Sequence, residues 1–501
     1  MLGMRSALRS SKVRLVLLAA APLLCGAIIP ECGNGSIGPE LKARDFVQIN
    51  KNGFGYIENL IDMNDYPWGL VYFQPDGADE GHVYVSTGNG IDDQLLYELG
   101  ESDYLFPPLR PGEIRRYRPD IGPRVWYSVL DIRQYEVGPV YSTTGFRSLH
   151  EYRPAGKNQP KYLYAGSASE TPSLWRSLTG DRGSWEVVWS ESRKGSIRAM
   201  AEHNGILYFN FIPGGEIGDG SPGEIWAHDG TDVWSVVSDG FGNPNNTGVW
   251  ALGVFNGYLY ASTANLETGF EVWKLEGPDG APPVCVVDNG GPSPSNEAAA
   301  TCVVYKDKIY FGTQVFGGFN LATGNLFKGA QIIRLDADDN MEVVVGPNSI
   351  SGFEAGFGRG MNAYIWSMTE FNGELYVGTW DQASIYQYLV DYFPDSMSQL
   401  MSFLLLASDY NNANGAAIGG VKRSPTPLSA ALEAGGDLYR SPDGDAFYRI
   451  FDDGLGDPYN YGARNMLAVG KDLYIGMANI YEGLEVWRAS LSDEEAAASA
   501  Q

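Results

Sequence analysis

Cysteine is scarce in this chain of 501 residues: Cys25, Cys32, Cys285 and Cys302 are the full set. That is too few for a fold stapled by disulfides. With no C-x-x-C pair and only four histidines, a zinc centre of soft ligands is excluded as well. Basic residues are also in short supply. Thirty-five Lys and Arg stand against 61 Asp and Glu, for a net charge of −26, and a field of that sign repels nucleic acid and anionic membrane surfaces. Beyond residue 27 no apolar run is long enough to cross a bilayer as a helix. Nucleophile elbows and dinucleotide fingerprints are missing in any usable context. "GFGNPNN" (240–246) is glycine-rich but joins two strand signals, so no helix start is there to cradle a phosphate. "DADDN" (336–340) lacks the remaining ligands of a calcium loop.

The first 27 residues have their own composition. Arg5, Arg9, Lys12 and Arg14 precede the short apolar stretch "LVLLAAAPLLCGA", the pattern of an export signal. Small residues at Cys25 and Ala27 suit cleavage after Ala27. Lipidation of Cys25 is less favoured, because Leu24 is bulky where a lipoprotein signal needs a small residue. The expectation is a secreted or periplasmic protein: signal 1–27, a linker 28–44, one domain 45–490, and a disordered tail 491–501.

What is abundant is glycine (63), tyrosine (30) and tryptophan (12), the composition of a β protein with many tight turns. The chain also repeats itself. "NGYLYASTANLETGFEVWKL" (256–275) returns as "KDLYIGMANIYEGLEVWRA" (471–489). Aligned on the Leu-Tyr strand there are seven copies, with the shared tyrosine at Tyr84, Tyr164, Tyr208, Tyr260, Tyr310, Tyr376 and Tyr474. Each copy holds four short strand signals, as in "VWALGVF", "YLYASTA", "FEVWKL" and "PVCVVD". Four strands per repeat is the size of a propeller blade, and radial packing buries the faces that one sheet alone leaves open. The last copy stops after its third strand. Its fourth is found at the start, where "DFVQINKNGFG" (45–55) matches "AFYRIFDDGLG" (446–456). The fold predicted is an all-β, seven-bladed propeller of four-stranded antiparallel blades, its N-terminal strand closing the last blade.

The hairpins "LYRSPDGDAFYRI", "IWAHDGTDVWSVV" and "LWRSLTGDRGSWEVV" resemble degenerate Asp-boxes, the S-x-D-x-G-x-T-W turns of sialidase-like propellers. Ser441, Asp443 and Gly444 match best, with Phe447 or Tyr448 where Trp is usual. In that superfamily the box is a structural turn, so the resemblance implies fold and not chemistry. The chain also resembles secreted bacterial propellers carrying "GFGDP-N…NG-LYVGT-N…G-E-WR" repeats, for which no settled function is implied.

Polar residues repeated in several blades serve turns and caps first. Departures from the repeat carry more information: the loop 89–112, the insertions 212–223 and 315–329, and some fifty residues at 382–434. All four are expected on one face, where binding usually lives. Counting back from each shared tyrosine to the start of the innermost strand gives Trp68, Arg147, Arg198, Trp250, Ala300, Trp366 and Arg464. Around one axis these would set three guanidiniums among three indoles. Arg forks grip carboxylate or sulfate, and indoles present flat faces to sugars or cations. The competing structural expectation is that each Trp packs between blades and each Arg pairs with a loop carboxylate.

Catalysis stays open. Sialidases, which the hairpins resemble, use an arginine triad with a Tyr/Glu pair and a loop Asp. Arg147, Arg198 and Arg464 imitate the triad, but no Tyr/Glu pair can be assigned. A lyase needs a general base beside a charge-neutralising Arg, and His150 and His203 lie three and five residues after Arg147 and Arg198. Trp380 and Asp381 are secondary candidates beside His150. No metal ligands are assigned and no cofactor is expected, with Ca2+ as the one ion left open. The sequence therefore points to an exported, monomeric, non-catalytic propeller that binds an extracellular glycan or protein. The alternative is a glycoside hydrolase or polysaccharide lyase acting on a uronic- or sialic-acid-containing saccharide.

Overall fold

A computed structural model describes residues 41–55, 64–89, 112–135, 143–156, 158–214, 220–277, 280–315, 328–384 and 434–494. These belong to a compact unit, Gly38–Gln501; a second unit, Met1–Ile37, lies wholly outside them. The export signal, most of the linker, the tail beyond 494 and the bulk of the four insertions also fall outside the described residues.

The compact unit is all-β. Its strands pair antiparallel in two sheets, of sixteen and thirteen strands, and among the described residues helix amounts to little more than 3-10 turns. Val, Ile, Tyr, Phe and Trp at alternate positions, punctuated by Gly and Asn, dictate this outcome. Within the sheets the sequence repeat becomes a group of four strands. In repeat four, Gly248–Phe255, Tyr258–Ala264, Val272–Leu275 and Val284–Val287 pair in that order. The first strands of the other repeats are Tyr66–Phe73, Thr143–Tyr152, Ala298–Tyr305, Asn362–Phe371 and Gly462–Val469. In repeat three this strand is broken into Gly195–Ser196 and Met200–His203.

Val47–Gln48 lies antiparallel to Glu485–Ser490, with Val47 opposite Arg488 and Gln48 opposite Trp487. The N-terminal segment is thus the fourth strand of repeat seven. Asn50, fully buried, ties it down: its side-chain Oδ1 accepts from the Val486 N–H at 2.7 Å and its Nδ2 donates to Leu484 O at 3.1 Å. Repeat one holds the same segment from its other side, where Trp126 Nε1 donates to Ile49 O at 2.9 Å.

Neighbouring repeats are joined by one recurrent backbone bond, from the end of a second strand to the start of the next repeat. Asn89 N donates to Thr144 O at 3.0 Å, Asn265 N to Glu297 O at 2.7 Å, and Asp381 N to Tyr461 O at 2.7 Å. Asn479 N donates in the same way to Asp65 O at 3.1 Å, linking repeat seven to repeat one.

The residues that make the repeat visible are structural. The shared tyrosine reaches the outer hairpin of the next repeat: Tyr260 Oη donates to Asp339 at 2.6 Å, and Tyr164 meets His228 Nε2 at 3.1 Å. The Glu-aliphatic-Trp ending is a clamp. Trp273 Nε1 donates to Glu271 at 2.8 Å, and the same carboxylate accepts from Asn243 and Asn246 at 2.7 Å. Glu485 repeats this with Trp487 and Asn460. The asparagine closes the loop before its own repeat, Asn246 donating to Gly240 O at 2.8 Å and Asn460 to Gly454 O at 3.0 Å. In that loop Phe241, Phe357 and Leu455 hold φ of 64°, 58° and 63°, unusual for bulky residues. Packing compensates for the strain, since Phe241 stacks on Trp273 at 4.8 Å and Phe357 on Tyr439 at 3.8 Å.

Candidate ligand-binding site

One cavity of about 240 Å³ is lined by three consecutive residues from each of the seven first strands. The leading residue of every triplet is a ring position named from sequence: Trp68, Arg147, Arg198, Trp250, Ala300, Trp366 and Arg464. All seven are buried, from 1% exposure at Arg147 to 9% at Arg198.

A local irregularity puts them there. In six repeats the pairing between first and second strands slips by one residue, and the residue skipped is the ring residue. The slips fall at Pro67/Gly69, Phe146/Ser148, Val249/Ala251, Ala299/Thr301, Ile365/Ser367 and Ala463/Asn465. A bulge frees one residue from the ladder and re-aims its side chain. In repeat three the gap between the two half-strands does the same, and the Asn210 side chain stands in for the ladder by accepting from Arg198 N and Ala199 N at 2.8 Å each.

The preceding repeat braces five of these seven positions. Ser148 donates to Ile197 O at 2.8 Å, Ser262 to Ala299 O at 2.6 Å and Ser367 to Ala463 O at 2.6 Å. Asn210 and Asn465 donate likewise to Val249 O and Pro67 O. Each acceptor is the carbonyl immediately before a ring residue, so the backbone that aims the side chain is fixed twice.

Each guanidinium lies over an indole. Arg147 is 5.7 Å from the Trp68 ring, Arg198 4.3 Å from Trp250 and Arg464 5.4 Å from Trp366. Arg147 donates to Ser196 Oγ at 2.9 Å, while Arg198 reaches the Tyr364 hydroxyl and, at 3.4 Å, Ala300 O. The indoles in turn lean on glycines. A methyl group at Gly145 would meet the Trp68 ring at 2.6 Å, and one at Gly462 would press still closer on the Trp366 ring. The expectation that the tryptophans pack between repeats therefore holds alongside their place in the cavity wall.

Below the ring, two residues along each strand, stand Leu70, Leu149, Met200, Leu252, Cys302, Met368 and Met466. This layer is apolar all round, and Leu70, Leu149, Met200, Cys302 and Met466 in it are less buried than the ring. Among the described lining residues none is Asp, Glu or His. Trp68 Nε1 is buried with no acceptor.

The secondary candidates lie elsewhere. His150 does not line the cavity; it is half-buried, and burial pushes its imidazole down to about 4. His203 is buried, with Nε2 3.1 Å from Glu276 O. Trp380 packs edge-on to Trp366 at 6.3 Å, above the ring and outside the lining. Asp381 is fully buried, and its Oδ2 finds no hydrogen-bond donor, the Arg359 guanidinium standing 3.8 Å away. Burial and the charge of Asp437 push its carboxyl up to about 8. Among the described residues no three of His, Cys, Asp and Glu gather as a metal site, and no helix is long and apolar enough to cross a membrane.

Sequence reasoning missed the bulge, the apolar layer, and the aromatic residues two positions before the ring. Five repeats carry a small residue there: Gly145, Ser196, Gly248, Ala298 and Gly462; repeats one and six carry Tyr66 and Tyr364. The spacing Tyr-x-Trp in "YPW" and "YIW" was the available signal.

No protein-family profile and no curated relative matches the chain. Among solved structures, an α-L-arabinofuranosidase from Clostridium thermocellum is 13% identical, with 57% of this chain and 95% of that one covered at a TM-score of 0.30. A putative exo-β-1,3-galactanase from Bifidobacterium bifidum is 11% identical, covering 60% and 96% at 0.34. Likeness at that level transfers no residue role to this chain.

Proposed function

We propose that Gly38–Gln501 is a seven-bladed β-propeller that binds an acidic saccharide at its axis without transforming it. The observation that carries the reading is the convergence of three guanidiniums and three indoles on one cavity whose described lining holds no carboxylate. Arginine does not shed its proton to relieve burial, and three such charges beside an apolar layer favour an anion there strongly. A planar guanidinium stacked on an indole has the fork geometry that pairs with a carboxylate or sulfate. The unfilled Trp68 Nε1 supplies a further donor. Seven four-strand repeats, with repeat seven bonded to repeat one through Asn479 and Asn465, support the seven-bladed ring.

Binding rather than catalysis is favoured because the described lining offers no general acid, base or carboxylate pair of the kind glycoside hydrolysis uses. Calorimetry with uronate-containing oligosaccharides tests this. Arg147→Ala combined with Arg198→Ala should weaken binding by about a hundredfold, from the loss of two charge-assisted contacts. Unchanged affinity removes the ring from the site. New reducing ends, or unsaturated uronates absorbing in the ultraviolet, would instead make the protein a hydrolase or lyase.

A further inference from the structure

We infer that Tyr364 sets the anion affinity of the cavity: its phenol oxygen occupies Arg198 as a neutral substitute ligand, which an anion must displace. This rests on the anion-binding reading above and names the contact that regulates it.

Arg198 is the odd member of the three guanidiniums. Arg147 and Arg464 lie back over the indole of the preceding repeat, Trp68 and Trp366, and each has further partners. Arg198 leans the other way, 4.3 Å from the ring of Trp250 in the following repeat. It passes on to Ala300 O of repeat five at 3.4 Å and ends on the Tyr364 hydroxyl of repeat six. In the proposed ring of seven, repeats three and six are as far apart as two repeats can be. One side chain and its phenol partner therefore bridge the axis.

Two departures from the repeat permit the crossing. Ala300 is the one ring residue with nothing beyond Cβ, so no long side chain stands at the ring position of repeat five. Tyr364 takes a place where five repeats carry Gly, Ser or Ala. It is buried, and its ring packs 5.6 Å from that of Trp366, which holds the phenol oxygen against Arg198.

The partners assembled in this way are uncharged. Among the described residues Arg198, at 9% exposure, donates to a phenol and a peptide carbonyl, and no carboxylate pairs with it. A buried guanidinium keeps its proton. A phenol oxygen engages one N–H, whereas a carboxylate or sulfate takes two parallel bonds from the same fork. Exchanging the phenol for an anion gives up one hydrogen bond to a charged group and forms an ion pair. Removing the phenol oxygen beforehand spares the anion that displacement, which is about tenfold in affinity.

Calorimetry on the whole chain, with glucuronate and with glucose as its neutral counterpart, tests the assignment. Tyr364→Phe keeps the ring and its packing but lacks the competing oxygen. Glucuronate should bind about tenfold tighter to this variant than to the parent, and glucose should gain nothing. In an Arg198→Gln background the same change should bring no gain, a coupling that a purely structural strut would not produce. If the parent binds glucuronate and Tyr364→Phe binds it no better, the regulation is refuted and the anion site stands. An equal gain for glucose, or an equal gain without Arg198, removes the proposed link between the phenol and the charge. If neither the parent nor Tyr364→Phe binds glucuronate, the anion-binding reading itself fails.

Discussion

Asp381 offers a quantitative test of how the repeat is built. In repeats one, four and seven the equivalent position holds Asn89, Asn265 and Asn479, each buried. Each donates its amide to the side-chain oxygen of the loop-closing asparagine: Asn64 at 3.2 Å, Asn246 at 3.0 Å and Asn460 at 3.1 Å. In repeat six that place is taken by a carboxyl group held up at about 8 by burial and by Asp437. An unfolded Asp ionises near 3.8, so between those values the folded protein binds a proton that the unfolded chain has lost. Stability from this group is fully present below the unfolded value and drains away as pH rises through the folded one. The slope is about 1.4 kcal/mol per pH unit. Asp381→Asn restores the amide of the other repeats and removes that slope, and Arg359 keeps Asp437 at 3.1 Å and Asp452 at 3.4 Å as partners. Between pH 5 and pH 8 the variant should gain on the parent by about 4 kcal/mol. For a unit of this length the entropy of unfolding is roughly 1 kcal/mol per degree, which converts the gain to about 4 °C. Thermal melts of both proteins at half-unit pH steps read it directly. A difference in melting temperature that stays constant with pH would refute the reasoning.

Three substitutions probe the scaffold and the ring separately. Gly462→Ala forces a methyl against the Trp366 indole and should cost about 1–3 kcal/mol by overpacking, with altered tryptophan fluorescence; an unshifted melt would show that the indole is free to move. Asn50→Ala leaves the buried Val486 N–H without its acceptor, while Leu484 O keeps the Gly53 N–H, and should cost about 1–3 kcal/mol, read by hydrogen exchange at Val486. Tyr260→Phe removes the bond to Asp339 and should cost about 1.5–3 kcal/mol with no change in ligand affinity, since Tyr260 lies outside the cavity lining.

Much of the fold could be read because the residues that build it are repeated for a physical reason. Tyr260 and its counterparts recur because each must reach the neighbour's hairpin, and Glu271 and Glu485 recur because each must hold both an indole and an asparagine. The N-terminal strand could be placed by its match to another repeat's fourth strand. The cavity wall was reached by counting back from those tyrosines. The count succeeds because every first strand is interrupted at the same offset, even where Trp68 and Arg147 sit behind irregular spacing. The interruption itself left no trace in residue type, since the skipped position holds Trp, Arg or Ala. Its brace lies in the preceding repeat, in the side chains of Ser148, Asn210, Ser262, Ser367 and Asn465 that grip the carbonyl just before the skipped residue. Contacts of that kind join residues distant in sequence and have no period of their own. Asp381 shows the opposite failure: its type suggested chemistry, whereas its buried setting makes it a neutral stand-in for an asparagine.

The bulge also explains why variation collects where it does. A residue within a ladder answers to two strands and to the packing on both faces, so its type is constrained by the fold. The skipped residue answers to neither partner strand. The backbone around it is held in most repeats by a neighbouring one, and its side chain turns to the cavity wall, where Arg147 bonds Ser196 and Arg198 bonds Tyr364. Seven such positions line the cavity. In this chain they carry three cations, three aromatic planes and one alanine, while the residues just beneath are uniformly apolar. Drift alone would leave opposite charges among seven unconstrained positions of a protein this acidic. Finding only guanidiniums there, each over an indole, is the pattern on which the proposed anion binding rests.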